Sequence, residues 1–508
     1  MKRVLFSAIF MAFAVSMMAQ SVVLCEPNSN LWVRRLSVTG TPIGQDVDNL
    51  YYYVCPRLQS KNVSDNIYIV DKNSMQSSEI NVSIANKFFF LDGIVTDNNI
   101  VALYYSTNKK GDQVTFSIAN IDKSAPTATV DDNNSVSTTA NSKFWPSYEC
   151  AKSPDGKMLA ALVMVTGKDS QLENLFAVVV NDQGEFVWSG HVTPDFAGKS
   201  FSLGNLMVDN EGNLYMSAYT CQMSGKNISD VKFLAIKANG DGTSTFTEKA
   251  TFGTPQNFTA KMLSNGTMVI AGYYTDSPTN TATQSVGYFF YKFDIASENF
   301  TDVKSFDFGD SYKEKGKWAM YAKQLGNQQY SIHADDIYEL ENGSLVLCGE
   351  HRFVKEIYDA QMHSYSYQLL TKNILVSTLL PDGSSKFSMV EKQQSVALGS
   401  RPPKDWTVMN ISYSAFANGN DMYFMFTDDP KNIPYPGKDA ICSPTGLNFK
   451  KKWESVLMRL TPDQELTQRV LPDPNQLLRN VVFVDGDSFY ASGVGKSQLF
   501  LTKYAISE

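Results

Sequence analysis

Residues 202–220 read SLGNLMVDNEGNLYMSAYT, and residues 231–252 continue VKFLAIKANGDGTSTFTEKATF. Two apolar runs, Ser202–Asp209 and Asn213–Thr220, flank Asn210-Glu211-Gly212. After a loop, Val231–Ala238 and Thr243–Phe252 flank Asn239-Gly240-Asp241-Gly242. Gly, Asn and Asp supply the positive φ angles that short hairpins need, so each pair of runs reads as two antiparallel strands. The unit is a four-stranded meander.

Working outward, the unit recurs. It appears at Tyr148–Val192 with the turns Pro154-Asp155-Gly156 and Asp182-Gln183-Gly184, and from Phe258 with Ser264-Asn265-Gly266. Asp336–Glu341 and Ser344–His351 flank Asn342-Gly343, and Ile374–Leu380 runs into Pro381-Asp382-Gly383. Second strands fall near Tyr51, Val101, Leu159, Leu214, Met268, Leu345, Met422 and Phe489. Strands such as Thr267-Met268-Val269-Ile270-Ala271 are apolar on both faces. A sheet with two apolar faces must lie between neighbours, which means stacked blades. The expected fold is all-β, a β-propeller of seven or eight four-stranded blades with the count favouring eight. Separate sandwiches or a sheet-rich solenoid are the alternatives, and no Pro/Ser-rich hinge interrupts the repeat.

The last copy, Asn480–Asp485, Ser488–Val494 and Leu499–Ile506, stops one strand short. The apolar run Ser21–Cys25 is the natural missing strand, with Leu31–Thr39 then starting the first blade. The ring is expected to close with strands from both ends, residues 21–508 forming one domain. Strands alternate direction, so turns one–two and three–four share one face of the disc. Loops two–three and the crossings between blades share the other.

Segments such as Phe233-Leu234-Ala235-Ile236-Lys237-Ala238-Asn239-Gly240-Asp241-Gly242 and Asp209-Asn210-Glu211-Gly212-Asn213-Leu214-Tyr215 resemble the β-propeller repeats of secreted bacterial proteins, the SBBP type. The resemblance implies a bacterial exported propeller and carries no catalytic residue across. The WD-repeat signature and the kelch double-glycine pattern are missing.

The start of the chain agrees with export. Met1-Lys2-Arg3, an apolar run from Val4 to Met18 and Ala19-Gln20 make a secretory signal peptide over residues 1–20, too short for a membrane span. The expected location is the periplasm, cell surface or medium. A lipid anchor at Cys25 competes, although Leu24 is large for the position before a lipidated cysteine. No later apolar stretch is long enough to span a bilayer. Of 508 residues 43% are hydrophobic and 19% charged, which gives ample apolar surface for a large core. The net charge of −8 offers no positive face for a phosphate backbone, so no nucleic-acid partner is expected. A monomer is expected.

Chemistry-bearing motifs are few. Cys25, Cys55, Cys150, Cys221, Cys348 and Cys442 share no metal-type spacing, and read as buried small hydrophobes. Gly495-Lys496-Ser497 ends like a P-loop, but Tyr490 stands where its first glycine belongs and a strand follows. Gly198-Lys199-Ser200 fails likewise. Neither a G-x-S-x-G elbow nor an H-E-x-x-H pair appears. Asp485-Gly486-Asp487 and Asn239–Gly242 carry oxygen ligands without EF-hand spacing, so no cofactor is expected beyond incidental Ca2+.

The tight-turn face is uniform, whereas the opposite face carries the long segments Ser311–Ser331, Arg352–Gln368, Gln393–Val408 and Asp428–Lys452. These, with the histidines in or beside loops, supply the candidate ligand-binding set Trp318, Tyr321, His333, His351, His363, Tyr365, Arg401 and Trp406, joined by Tyr367 and Tyr435. Long loops presenting aromatics and Arg on a rigid scaffold are the usual form of a binding site. Solvated loop histidines, and rings packed on the blade ends, are the plainer alternatives. Ser124–Ser142, rich in Ser, Thr and Asn, reads as a mobile crossing.

The expected function is a non-catalytic exported propeller that binds a protein, glycan or peptide on the long-loop face. A hydrolase or lyase acting on polysaccharide or peptide in the same place is the second reading, a structural envelope component the third. An acidic pair or a histidine–acid set at the channel mouth would favour the enzyme. Exposed aromatics without such a constellation would favour binding.

Overall fold

Eight sheets follow one another along the chain, each built on four strands. The computed structural model describes residues 20–25, 40–54, 65–84, 88–139, 147–166, 172–192, 200–225, 227–238, 243–276, 285–308, 330–359, 361, 364–392, 394–399, 412–428, 430–433, 454–472, 477–495 and 498–506. The eight second strands are Asn49–Val54, Asn99–Thr107, Met158–Thr166, Leu214–Ser224, Thr267–Thr275, Leu345–Asp359, Asp421–Asp428 and Ser488–Gly495, each where the repeat places it. Eight such sheets fit a β-propeller of eight blades, not seven.

Positive φ marks the glycines of the tight turns: Gly156, Gly184, Gly212, Gly266, Gly343, Gly383 and Gly486. At Gly212 the turn is closed by Asp209, whose Oδ1 accepts from the Glu211 and Asn213 amides at 2.9 and 2.8 Å. The turn chemistry read from sequence is therefore the turn chemistry used.

Blade faces are apolar because every blade lies between two others. Leu214, Met216 and Ala218 pack against blade 3, while Tyr215 on the other face of the same strand packs against blade 5. Corresponding clusters join each blade to the next, and a further one joins Tyr490, Leu499 and Leu501 of blade 8 to Leu50, Tyr52 and Val70 of blade 1. Burying one such Leu or Tyr contributes about 1.5–3 kcal/mol, so eight seams hold most of the fold energy.

At seven of the eight seams the first strand of one sheet neighbours the first strand of the next, and so lies nearest the axis. Its inner edge has no ladder partner, which leaves backbone donors needing acceptors. Side chains of the preceding blade supply them. The Leu206 amide donates to Glu149 Oε2 at 3.2 Å, Ala260 to Asn205 Oδ1 at 2.8 Å, Ala334 to Asn257 Oδ1 at 2.7 Å and Val481 to Ser414 Oγ at 3.0 Å.

Gln20–Cys25 pairs antiparallel with Gln498–Ala505, Ser21 opposite Thr502, and completes the four strands of blade 8. Blade 1 begins at Gly40–Gln45, and Leu31–Thr39 lie outside the described residues. Ser124–Ser142 is not a mobile crossing over its described part. Thr127–Val130 pairs parallel with Ser77–Ile84 of blade 1, and Ser135–Thr139 then returns as the outer strand of blade 2. Thr and Val suit an extended edge, and the preference was outvoted in sequence by the polar neighbours. Among the described residues no helix is long and apolar enough to cross a membrane.

Candidate functional site

Blade 6 departs from the pattern. Its second and third strands, Leu345–Asp359 and Ser364–Leu379, run 15 and 16 residues, against 9 and 8 in blade 5. Arg352–Gln368, read from sequence as a loop, is therefore mostly the far half of a hairpin. Tyr, Ile and Ser are tolerated there because the strands can pair with each other and need no core. Among the described residues the second strand pairs with the first as far as Phe353 opposite Tyr330, and beyond the strand Gln394–Gly399 the hairpin continues from Ile357–Ser366 to Asp359–Ser364.

This overhang lies at the crossing face. Tyr358 and Tyr365 are directly opposed, their ring centroids 5.0 Å apart, and are 52% and 50% exposed. Ile357 is 39% exposed on the other side. Gln394–Gly399, within the segment read as the loop Gln393–Val408, buttresses the base by pairing with Tyr367–Thr371.

Beneath the overhang, charges are packed into the seam between blades 6 and 7. Glu350 and Lys392 have wholly buried side chains, and Glu350 Oε1 faces the Lys392 ammonium. Arg352 Nε and Ser412 Oγ both donate to Glu350 Oε2 at 2.8 Å. Arg352 Nη2 then donates to Asp335 Oδ1 at 2.7 Å, and the Tyr413 hydroxyl donates to Asp335 Oδ2 at 2.9 Å. Lys392 also donates to Thr371 Oγ1 and Gln394 Oε1, and Gln394 Nε2 reaches the Thr427 carbonyl of blade 7 at 2.8 Å. Two cations balance two carboxylates, and each carboxylate oxygen is met. Such a network fixes a geometry because each partner depends on the others.

Burial pushes the Asp335 carboxyl up to about 7, with Arg352 and the Tyr413 hydrogen bond opposing. It lowers the Lys392 ammonium, which Glu350 opposes. Burial also takes Lys372 down to about 8.

His333 and His351, read as lying in or beside loops, sit within the strands Tyr330–Glu339 and Leu345–Asp359, and His351 is fully buried. Burial brings His333 down to about 4, helped by Arg352, and His351 down to about 3, helped by Lys372. Both are neutral at neutral pH. A base whose folded value lies below its ordinary value charges first in the unfolded chain. Its contribution is therefore complete above about pH 6.5 and is lost as pH falls toward 3 or 4. We expect urea unfolding to show a smaller loss of stability between pH 7 and 4.5 in His351→Gln than in the parent, the slopes differing by up to about 1.4 kcal/mol per pH unit. Equal slopes would remove His351 from the acid response.

Of the residues expected at the site, Tyr365 stands exposed on the hairpin and His333 borders the charge cluster. His351 shares their strand pair but is enclosed. Trp318, Tyr321, His363, Arg401, Trp406 and Tyr435 lie outside the described residues. Asp335, Glu350, Arg352, Lys392 and Tyr413 escaped the sequence reading. One signal was present: Glu350-His351-Arg352 puts three polar groups into a strand that is otherwise apolar from Leu345 to Gly349.

Cys221 and Cys348 are buried as expected, but Cys150 is exposed. Among the described residues no group of His, Cys, Asp and Glu converges as metal ligands would. The tight-turn face holds a cleft of about 360 Å³ between blades 4 and 5. Its Asp209 is spent on the turn and its Glu298 on Lys237, 3.0 Å away.

No protein-family model matches the chain, and no curated protein does. Among solved structures it is similar to the Dos1 propeller, with 10% identity over 90% of this chain and 89% of that one and a TM-score of 0.39. The β-propeller domain of the Trilobed protease from Pyrococcus furiosus shows 10% identity over 84% and 97%, with a TM-score of 0.32. The polysaccharide lyase Uly1 shows 11% identity over 82% and 89%, with a TM-score of 0.36. Likeness at this level says nothing about chemistry.

Proposed function

We propose that the chain is an exported, non-catalytic eight-bladed propeller that binds a protein, glycan or peptide through the crossing face of blade 6. Its ring is closed by the pairing of Gln20–Cys25 with Gln498–Ala505. The observation that carries the reading is the overhanging hairpin, whose Tyr358 and Tyr365 are half exposed and meet in a tilted ring contact. Tyrosines held rigidly supply contact area at low entropic cost and dominate many interfaces. The saturated charge cluster below supports it, because a stiff base preorganises the platform. Lys2-Arg3 with its apolar run, and the likeness to repeats of secreted bacterial proteins, support export.

A glycan and peptide array probed with the purified chain identifies the ligand class. Tyr358→Ser and Tyr365→Ser should each weaken the ligand found there by about 1–3 kcal/mol, leaving the melting temperature in place. Parent-like binding by both variants would overturn the assignment.

The hydrolase or lyase reading is favoured by one observation, His333 and Asp335 lying two residues apart on the innermost strand. Both Asp335 oxygens are engaged by Arg352 and Tyr413, which weighs against a proton-transfer role. Turnover of a polysaccharide or peptide that Asp335→Asn abolishes would replace the binding reading.

A further inference from the structure

The free end of the overhang has two unlike faces. Tyr358 stands directly opposite Tyr365, and Glu356 directly opposite Tyr367. Residues two apart in a strand share a face, so these two cross-strand pairs make one patch of three rings and a carboxylate. Ile357 and Ser366 fall on the other face. Glu356, Tyr358 and Tyr365 are exposed, and Tyr367 is half-buried. Desolvation and a hydrogen bond to Glu356 raise the Tyr367 phenol above its ordinary value. The carboxylate is thereby held against the rings.

Shape and charge together choose the ligand. The Tyr358 and Tyr365 ring planes meet at 47° with centroids 5.0 Å apart, so they offer no single flat surface to a sugar ring or to another aromatic face. Each ring face is negative, and a cation needs only to lie within about 6 Å of a centroid, whatever the tilt. Glu356 adds a formal charge of the same sign. The two cations at the root are already engaged. Arg352 is held by Glu350 and by Asp335, which a bulge between Ala334 and Asp336 turns toward it, and Lys392 is held by Glu350. The chain as a whole carries −8, which favours the approach of a positive partner.

We propose that the face made by Glu356, Tyr358, Tyr365 and Tyr367 receives arginine side chains of a polypeptide partner, the guanidinium lying on the tyrosine rings with its fork on Glu356. The proposal rests on the reading of the hairpin as the binding platform, and narrows the partner from protein, glycan or peptide to a basic polypeptide segment. Arginine fits better than lysine, because its planar head stacks on a ring and offers a carboxylate two donors at once. One such contact at an exposed site changes a binding constant by only about threefold to thirtyfold, too little to hold a free cation. The cation must therefore arrive on a chain that makes further contacts, and a hairpin that overhangs the blade leaves room for one.

The test uses short fluorescent peptides in which Arg alternates with Ser, and the same peptides with citrulline, which keeps the shape and loses the charge. At physiological salt, where long-range attraction is screened, the full chain should prefer the arginine peptide by about threefold to thirtyfold. Tyr365→Phe should keep that preference, since the ring remains. Tyr365→Leu keeps apolar area without a ring, and Glu356→Gln keeps shape without a charge; each should reduce the preference by about twofold or more. Melting should be unchanged, because the replaced side chains are exposed, and should one variant fail to fold the other carries the test. Equal binding of the two peptides by the parent, binding of neither, or a preference that survives both Tyr365→Leu and Glu356→Gln overturns the proposal. A glycan or neutral peptide from the array that Tyr358→Ser and Tyr365→Ser release, with no preference for arginine, leaves the platform standing while this inference falls. Parent-like binding of the array ligand by the two serine variants removes the platform itself.

Discussion

Glu350→Gln is expected to lose about 3–5 kcal/mol of folding stability, the usual consequence of removing one partner from a buried ion pair. The side chain is wholly enclosed, and its carboxylate faces Lys392 while accepting from Arg352 and Ser412. A neutral amide leaves the Lys392 ammonium buried without its charge partner and removes one of the two carboxylates that hold Arg352. The loss comes from the stranded cations, not from the strength of the bonds removed. The double variant Glu350→Gln, Lys392→Met should therefore recover part of it, since a buried Met leaves no stranded ammonium. Equilibrium denaturation of the three proteins checks this. A Glu350→Gln loss below about 1 kcal/mol would mean that the seam does not depend on the network.

Deleting residues 20–25 should cost about 3–6 kcal/mol, counting about 1 kcal/mol net for each ladder hydrogen bond along Gln498–Ala505. The deletion also leaves that strand with an unpaired edge, a template for pairing with another chain. Melting curves and light scattering on the truncated chain should show earlier unfolding together with self-association. A truncated chain that melts with the parent and stays dispersed would remove this strand from the account of closure.

Much of this architecture was legible because it is written locally. Asn210-Glu211-Gly212 and its counterparts mark hairpins through φ preferences that three adjacent residues carry. The double-sided apolar strands announce their neighbours on both flanks. The candidate site was legible only in part, through Tyr365 and His333, because its partners are remote. Tyr413 meets Asp335 across 78 positions, and Ser412 meets Glu350 across 62. No spacing rule connects them; a bulge and the angle between two blades do. His351 ends the strand Ser344–His351 in the sequence reading, which gave no sign that the pairing runs on past it to Asp359 because the following stretch is polar. Ser124–Ser142 was misread for a related reason, since backbone bonds to a strand more than forty residues earlier ordered a segment with little apolar content.

The parallel strand Thr127–Val130 also has a consequence for biosynthesis. As the chain emerges from its N-terminal end, Ser77–Ile84 appears as the rim of blade 1, but its neighbour follows only after three strands of blade 2. Blade 1 therefore cannot finish before blade 2 is nearly complete. Vectorial folding should begin with these two blades as one cooperative piece, and a nascent chain arrested before residue 127 should expose the blade 1 rim to chaperones.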